Sequence, residues 1–170
     1  RWRTEDWSQE GNTLTLATAD ISALAYSPDG SQLAVGTRDL LAPTIQVFDA
    51  GSFLPLTGVL TGHQNWIVDL HYLDDSTLAS ASHDHTIRLW SLPSGDSLRL
   101  LGHLREVTGI TSPGDGELLS ASEDRRLIRW ELALESWIMR ACTIAGRNLN
   151  ADEWRQFMGN IPYRSTCPNP

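Results

Sequence analysis

His63, Ser82, Asp84 and Trp90 bring a hydroxyl, an imidazole and a carboxylate into one short stretch, the parts of an acyl-transfer site, with Ser80 as the other hydroxyl in reach. The same types return as His103, Ser122, Asp124 and Trp130. A catalytic centre rarely occurs once per repeat, whereas a structural device does. No nucleophile elbow accompanies either set. The expectation is therefore a structural network, no catalytic residue and no enzyme. His83-Asp84-His85 offers two imidazoles two residues apart, which on a strand share a face. Turn-forming neighbours and the lack of a third ligand argue against a metal site. Asp74-Asp75, Asp29 and Asp39 likewise read as turn formers rather than paired acid and base. All 13 basic residues are Arg, so the chain has neither a P-loop lysine nor a Schiff-base lysine, and no cofactor is expected. Cys142 and Cys167 make no CxxC or zinc spacing; two reduced thiols are expected, with a disulfide as the alternative.

These groups sit on a repeating frame. Gly62-His63 and Gly102-His103 lie 40 positions apart, and the same offset relates Leu78-Ala79-Ser80-Ala81-Ser82 to Leu118-Leu119-Ser120-Ala121-Ser122, Asp84 to Asp124 and Trp90 to Trp130. A more divergent copy runs through Ile21 to Gly30, Leu33 to Gly36 and Thr44 to Asp49, with a longer turn after Asp39. Each copy reads as short strands. Ile67, Leu70 and Tyr72 share one, Leu78 to Ser82 another, and Thr86-Ile87-Arg88-Leu89-Trp90 alternates polar and apolar. Turn formers separate them at 74–76, 82–84 and 93–96. The spacing predicts strands over 67–73, 77–82, 86–91 and 97–101, then over 107–111, 117–122 and 126–131.

Four landmarks in one order at one period resemble the WD-repeat family. The carriers are the two Gly-His dipeptides, Ser27-Pro28-Asp29-Gly30, the run from Ser80 to Trp90, and Trp130-Glu131. The departures are Leu16-Ala17 in place of Gly-His, Phe48 in place of Trp, Arg126 in place of Thr, and no literal Trp-Asp dipeptide. The resemblance implies an all-β fold of β-propeller blades, about three and a half of them, a partial propeller covering 1–131. It would comprise a half blade at 1–18, blades over 19–60 and 61–101, and an incomplete blade at 102–131 lacking its outer strand. Missing N-terminal blades of the same protein would then complete the ring. The first residue is Arg1, and the chain is read as a fragment, a processed product or a truncated gene product. The resemblance further implies that His63, Ser82, Asp84 and Trp90, and likewise His103, Ser122, Asp124 and Trp130, form a buried network within each blade.

The resemblance also implies a contact face at one end of the blades. Its positions map to Asp20, Ser22 and Arg38 in the first unit, Trp66, Val68 and His83 in the second, and Glu106, Thr108 and Glu123 in the third. An exposed Trp66 would suit an interaction hot spot, although a rim aromatic covered by a loop is an equal reading. Asp20, Glu106 and Glu123 would favour a basic protein surface. The net charge of −8 argues against nucleic acid and anionic membrane, which need a basic face. No apolar run approaches the roughly 20 residues that span a bilayer.

After Trp130 the strand rhythm stops. Residues 137, 138, 141, 144 and 145 form an apolar helical stripe, Asn150 and Glu153 suit a capping box, and Trp154, Phe157 and Met158 make a second apolar face. A short helical tail over 132–170, with two helices within 135–159, is expected. The residues Ala141-Cys142, Ala145 to Leu149, Glu153-Trp154 and Tyr163 to Pro168 resemble the segment that follows the last WD repeats of bacterial proteins carrying a STAND-type NTPase module. This implies a binding scaffold, the C-terminal sensor of a larger bacterial signalling or defence protein in the cytoplasm, with a protein partner.

Overall fold

The structure, a computed structural model, describes residues 20–39, 41–114 and 116–133, together with Glu5, Asn148, Asn150 and Cys167. The described part is all-β. Strands β1 (Asp20–Tyr26), β2 (Gln32–Arg38), β3 (Thr44–Asp49) and β4 (Leu60–Thr61) form one four-stranded antiparallel sheet in sequence order. The second sheet has the same order, with β5 (Ile67–Asp74), β6 (Thr77–Ser82), β7 (Ile87–Ser91) and β8 (Ser97–Leu100). The third holds β9 (Val107–Gly114), β10 (Glu117–Ser122) and β11 (Leu127–Glu131). Among the described residues it has no fourth strand. Strands β5 to β11 each fall within a few residues of the ranges predicted for the second and third copies.

The core lies where the first two sheets meet. Ile67, Leu70 and Tyr72 on β5 pack with Ala23, Ala34, Ile45 and Val47 of the first sheet. Gly36 is fixed by this contact, since a Cβ there would come 2.8 Å from Ile67 Cγ2. Polar ties run beside the apolar ones. Gln32 Nε2 donates to the Asp75 carbonyl at 2.9 Å, and Asp75 Oδ1 accepts the Asp29 N–H at 3.1 Å. From the second sheet to the third, Asp69 Oδ2 accepts the Ile110 N–H at 2.8 Å. An Asp inside an apolar strand is costly unless its oxygens find donors, and Asp69 Oδ1 takes the Leu70 N–H as well.

The chain divides into two compact units, residues 1–111 with 120–128, and residues 112–119 with 129–170. Within the second, the Leu132 N–H donates to the Gly116 carbonyl at 2.7 Å and Arg129 pairs with Glu117. There too, Asn148 Oδ1 accepts the Cys167 N–H at 2.7 Å, and its Nδ2 donates back to the Cys167 carbonyl at 3.3 Å. Cys167 is disulfide-bonded. This corrects the expectation of two reduced thiols, Cys142 being the only other cysteine in the chain. The half blade at 1–18 and the helices at 135–159 lie outside the described residues.

Candidate functional site

The polar sets become two relays. In the second sheet His63 Nδ1 lies 2.7 Å from Asp84 Oδ2 and His63 Nε2 lies 2.7 Å from Ser80 Oγ. The Trp90 Nε1–H donates to Ser80 Oγ at 2.8 Å. One proton arrangement satisfies all four groups, with the indole giving to the hydroxyl, the hydroxyl to His63 Nε2, and His63 Nδ1–H to the carboxylate. Asp84 is saturated, for it also accepts the Gln64 N–H, the Thr86 N–H and the Thr86 hydroxyl. Burial pushes its carboxyl up, and the hydrogen bonds from His63 and Thr86 outweigh that, so it is held well below the usual carboxylate range. The third sheet repeats the geometry, with His103 Nδ1 2.9 Å from Asp124 Oδ2 and Nε2 2.7 Å from Ser120 Oγ. There desolvation is outweighed by the Leu104 N–H and His103, and the Asp124 carboxyl sits at about 2.

Two assignments change. The relay serines are Ser80 and Ser120, in place of Ser82 and Ser122. The members of each pair are two residues apart and share a strand face, so sequence type does not separate them. Ser80 alone is reached by Trp90, whose backbone pairs with Leu78, while Ser82 stands at the turn. There Ser82 Oγ donates to the Asn65 carbonyl at 2.8 Å and accepts the Asp84 N–H at 3.0 Å. Ser122 does the same with the Arg105 carbonyl and the Asp124 N–H. Trp130 departs from Trp90 too: Trp90 is 2% exposed, whereas Trp130 is half-buried, on a strand with no outer neighbour among the described residues. The relay has a hydrolase's connectivity, but Ser80 is 0% exposed and offers no path to a substrate. In the first sheet Val35 and Phe48 stand where Ser80 and Trp90 stand in the second, in an apolar cluster with Leu33 and Phe53. Apolar groups replacing both partners of a polar pair leave nothing stranded.

At the strand ends nearest the relays the candidate contact residues stand in adjacent pairs, one pair per sheet. Asp20 pairs with Arg38 in the register of β1 and β2. The His83 N–H donates to the Trp66 carbonyl at 3.0 Å, and the Glu123 N–H to the Glu106 carbonyl at 3.0 Å. Two sheets then join through side chains. The Arg38 guanidinium lies over the Trp66 ring at 5.3 Å, and the Trp66 and His83 rings are 5.6 Å apart. The Glu106 carboxyl is held below its usual range, first by its own backbone N–H and further by His85, Arg105 and His83. Thr108 and Glu123 are exposed and Val68 is half-buried. Ser22 is otherwise engaged, within reach of the Gly36 and Ile67 carbonyls, and ties the first two sheets together. The long turn after Asp39 also emerges here; Asp39 Oδ1 accepts the Leu41 and Ala42 N–H groups, and Leu41 is 96% exposed. At the opposite strand ends a groove of about 710 Å³ runs past Gln32, Leu56, Val59, Asp75 and Ser94. No group of three metal-ligating side chains occurs among the described residues. No helix there is long and apolar enough to cross a membrane.

A family model described as "WD domain, G-beta repeat" matches residues 7–40, 54–91 and 95–131. Similar proteins include the target of rapamycin complex subunit wat1 of Schizosaccharomyces pombe, 40% identical over 128 residues, covering 73% of this chain and 39% of that protein. Coronin-7 of Bos taurus is 37% identical over 65% of this chain and 13% of its own length. A guanine nucleotide-binding protein subunit beta of Arabidopsis thaliana is 25% identical over 78% of this chain and 39% of its own length. The chain thus spans well under half the length of these relatives.

Proposed function

Since the chain belongs to the WD-repeat family, whose members generally serve as protein-interaction scaffolds, we propose that it is a non-enzymatic binding module that engages a protein partner through the rim carrying Arg38, Trp66 and His83. The observation that carries this reading is the stack of Arg38 on Trp66 and Trp66 on His83, built by residues of two sheets. A half-buried Trp held by neighbours on both sides offers a large contact area at little ordering cost, which is what interface hot spots require. Glu106 and Glu123 beside it, with Asp20, favour a basic partner surface. The resemblance of residues 141–149, 153–154 and 163–168, which rests on sequence alone, supports reading the module as the sensing end of a larger bacterial signalling or defence protein. A Gly-rich phosphate loop with its Lys upstream in the same gene would support that setting.

The test is affinity capture with the intact chain and its variants. Partners bound by the wild type should be lost with Trp66→Ala and weakened roughly 10-fold or more with Arg38→Ala, in line with a hot spot worth over ~1.4 kcal/mol. Ser94→Ala, in the groove at the other strand ends, should leave them bound. A partner that binds all three variants equally would remove the rim from this role.

A further inference from the structure

The groove of about 710 Å³ at the strand ends away from the rim takes its walls from the first two sheets, both four-stranded, so it lies inside the repeat array. Leu56 and Val59, 52% and 53% exposed, give one wall an apolar surface, and the turn from Leu92 to Gly95 forms the other. The pairing of β3 with β4 runs only through Thr61 and Leu60, and the next N–H to reach β3 is that of Leu56. The N–H groups of Thr57, Gly58 and Val59 between them therefore meet no acceptor among the described residues. A Cβ on Gly58 would find nothing within 4 Å, so the space beside it is open. The charge at this end has one sign. Asp29, Asp49, Asp74, Asp75 and Asp96 end the strands or stand in the turns, and those turns hold no Lys, Arg or His. Asp75 lines the groove and accepts the Asp29 N–H, which brings two of the carboxylates together. The Ser27 and Ser52 hydroxyls hold the Asp29 and Asp49 carboxyls below the usual range, so both stay charged at neutral pH. The Tyr72 hydroxyl, on a side chain 6% exposed, lies within the field of Asp29 and Asp75 and has no hydrogen-bond partner among the described residues. A buried hydroxyl left open beside two carboxylates is a corner that an incoming cationic donor would complete.

We propose that this groove takes an extended segment of a partner protein in which basic and apolar side chains alternate. The segment's carbonyls meet the N–H groups of residues 57–59, its apolar side chains lie on Leu56 and Val59, and its Lys or Arg side chains face Asp75 and Asp29. Alternation follows from the period of an extended chain, which sends successive side chains to opposite sides. An end that carries only carboxylates repels nucleic acid and anionic lipid and attracts a basic segment. The proposal does not rest on the rim reading, since the groove includes none of Arg38, Trp66 and His83.

Fluorescence anisotropy of the 170-residue chain with a short labelled peptide alternating Arg and Val tests this. The wild type should bind it saturably, and far more tightly than peptides alternating Glu and Val or Arg and Ser. Gly58→Trp, which fills the open space without meeting the chain, should weaken binding roughly 10-fold or more. Asp75→Asn, which keeps an oxygen for the Asp29 N–H, should weaken it several-fold. Circular dichroism should show wild-type strands in both. Glu123→Gln removes a charge at the opposite strand ends and Trp66→Ala removes the rim stack; both should bind as the wild type does. No saturable binding, equal affinity for either control peptide, or full binding by folded Gly58→Trp would overturn the proposal. Equal weakening by Glu123→Gln and Asp75→Asn would also overturn it, since net charge rather than the groove would then hold the peptide.

Discussion

Ser80 is the hydroxyl on which a ring nitrogen and an indole N–H both depend, and Ser82, two positions on, is not. Residue type and period placed a Ser, a His, an Asp and a Trp in the second and third copies, but only the register of β7 against β6 selects which Ser the indole reaches. A double-mutant cycle separates them. Ser80→Ala should cost about 1–3 kcal/mol in chemical denaturation by stranding buried partners, and its effect should be strongly non-additive with Trp90→Phe. Ser82→Ala should add independently to Trp90→Phe. Equal coupling for both serines would refute the relay assignment. Tyr72 argues from the opposite case. Its hydroxyl is buried without a hydrogen-bond partner among the described residues, and burial, with Asp29 and Asp75 nearby, pushes its pKa up to about 12. Tyr72→Phe should therefore keep the packing and raise stability, by about 1 kcal/mol; a lower urea midpoint would show that the hydroxyl is satisfied.

At the scale of the strand and turn, Asp84 and Asp124 each do two things: they orient a histidine and accept the N–H that opens the next strand's turn. His85 and Arg125, the residues that follow Asp84 and Asp124, both take left-handed φ, 70° and 66°, a conformation that non-Gly residues adopt only when surroundings over-determine it. That strain was not legible in the sequence, because neither residue is a Gly or Asn. The strands were legible, since alternation and turn formers act over a few residues. Asp69 was not, because its partner lies 41 positions away in another strand. The turn carboxylates also set a pH response. A carboxyl with a depressed folded-state pKa stabilises the fold above its unfolded value, here 3.8, and loses that contribution as the pH falls through the folded value. The urea midpoint should thus hold level down to about pH 4 and decline toward about pH 2. In Asp124→Asn the midpoint should start lower and decline less steeply. An unchanged slope in that variant would mean that other carboxyls dominate acid unfolding.

For the whole molecule, the period of the repeats defines three sheets and their order, but the redox state of the tail could not be read from two cysteines without a recognisable spacing. The structure makes Cys167 half of a disulfide and holds its peptide group in both directions with the Asn148 side-chain amide. This matters for location, since a reducing cytoplasm keeps thiols free while oxidising compartments preserve disulfides. A cytoplasmic module would be expected to lose this bond. A disulfide restricts the unfolded chain and typically contributes about 2–4 kcal/mol. Cys167 belongs to the unit formed by residues 112–119 and 129–170. Reduction should therefore lower the melting of that unit and leave the first two sheets, which contain no cysteine, with their original midpoint. Hydrogen exchange followed by fragment mass analysis resolves the two. The Cys167 amide, held by Asn148, should lose protection on adding a reductant, while the amides of β2 and β6 keep theirs. If native protein without reductant already reacts with two equivalents of a thiol reagent, the cross-link does not form in solution, and the expectation of a reducing compartment regains its ground.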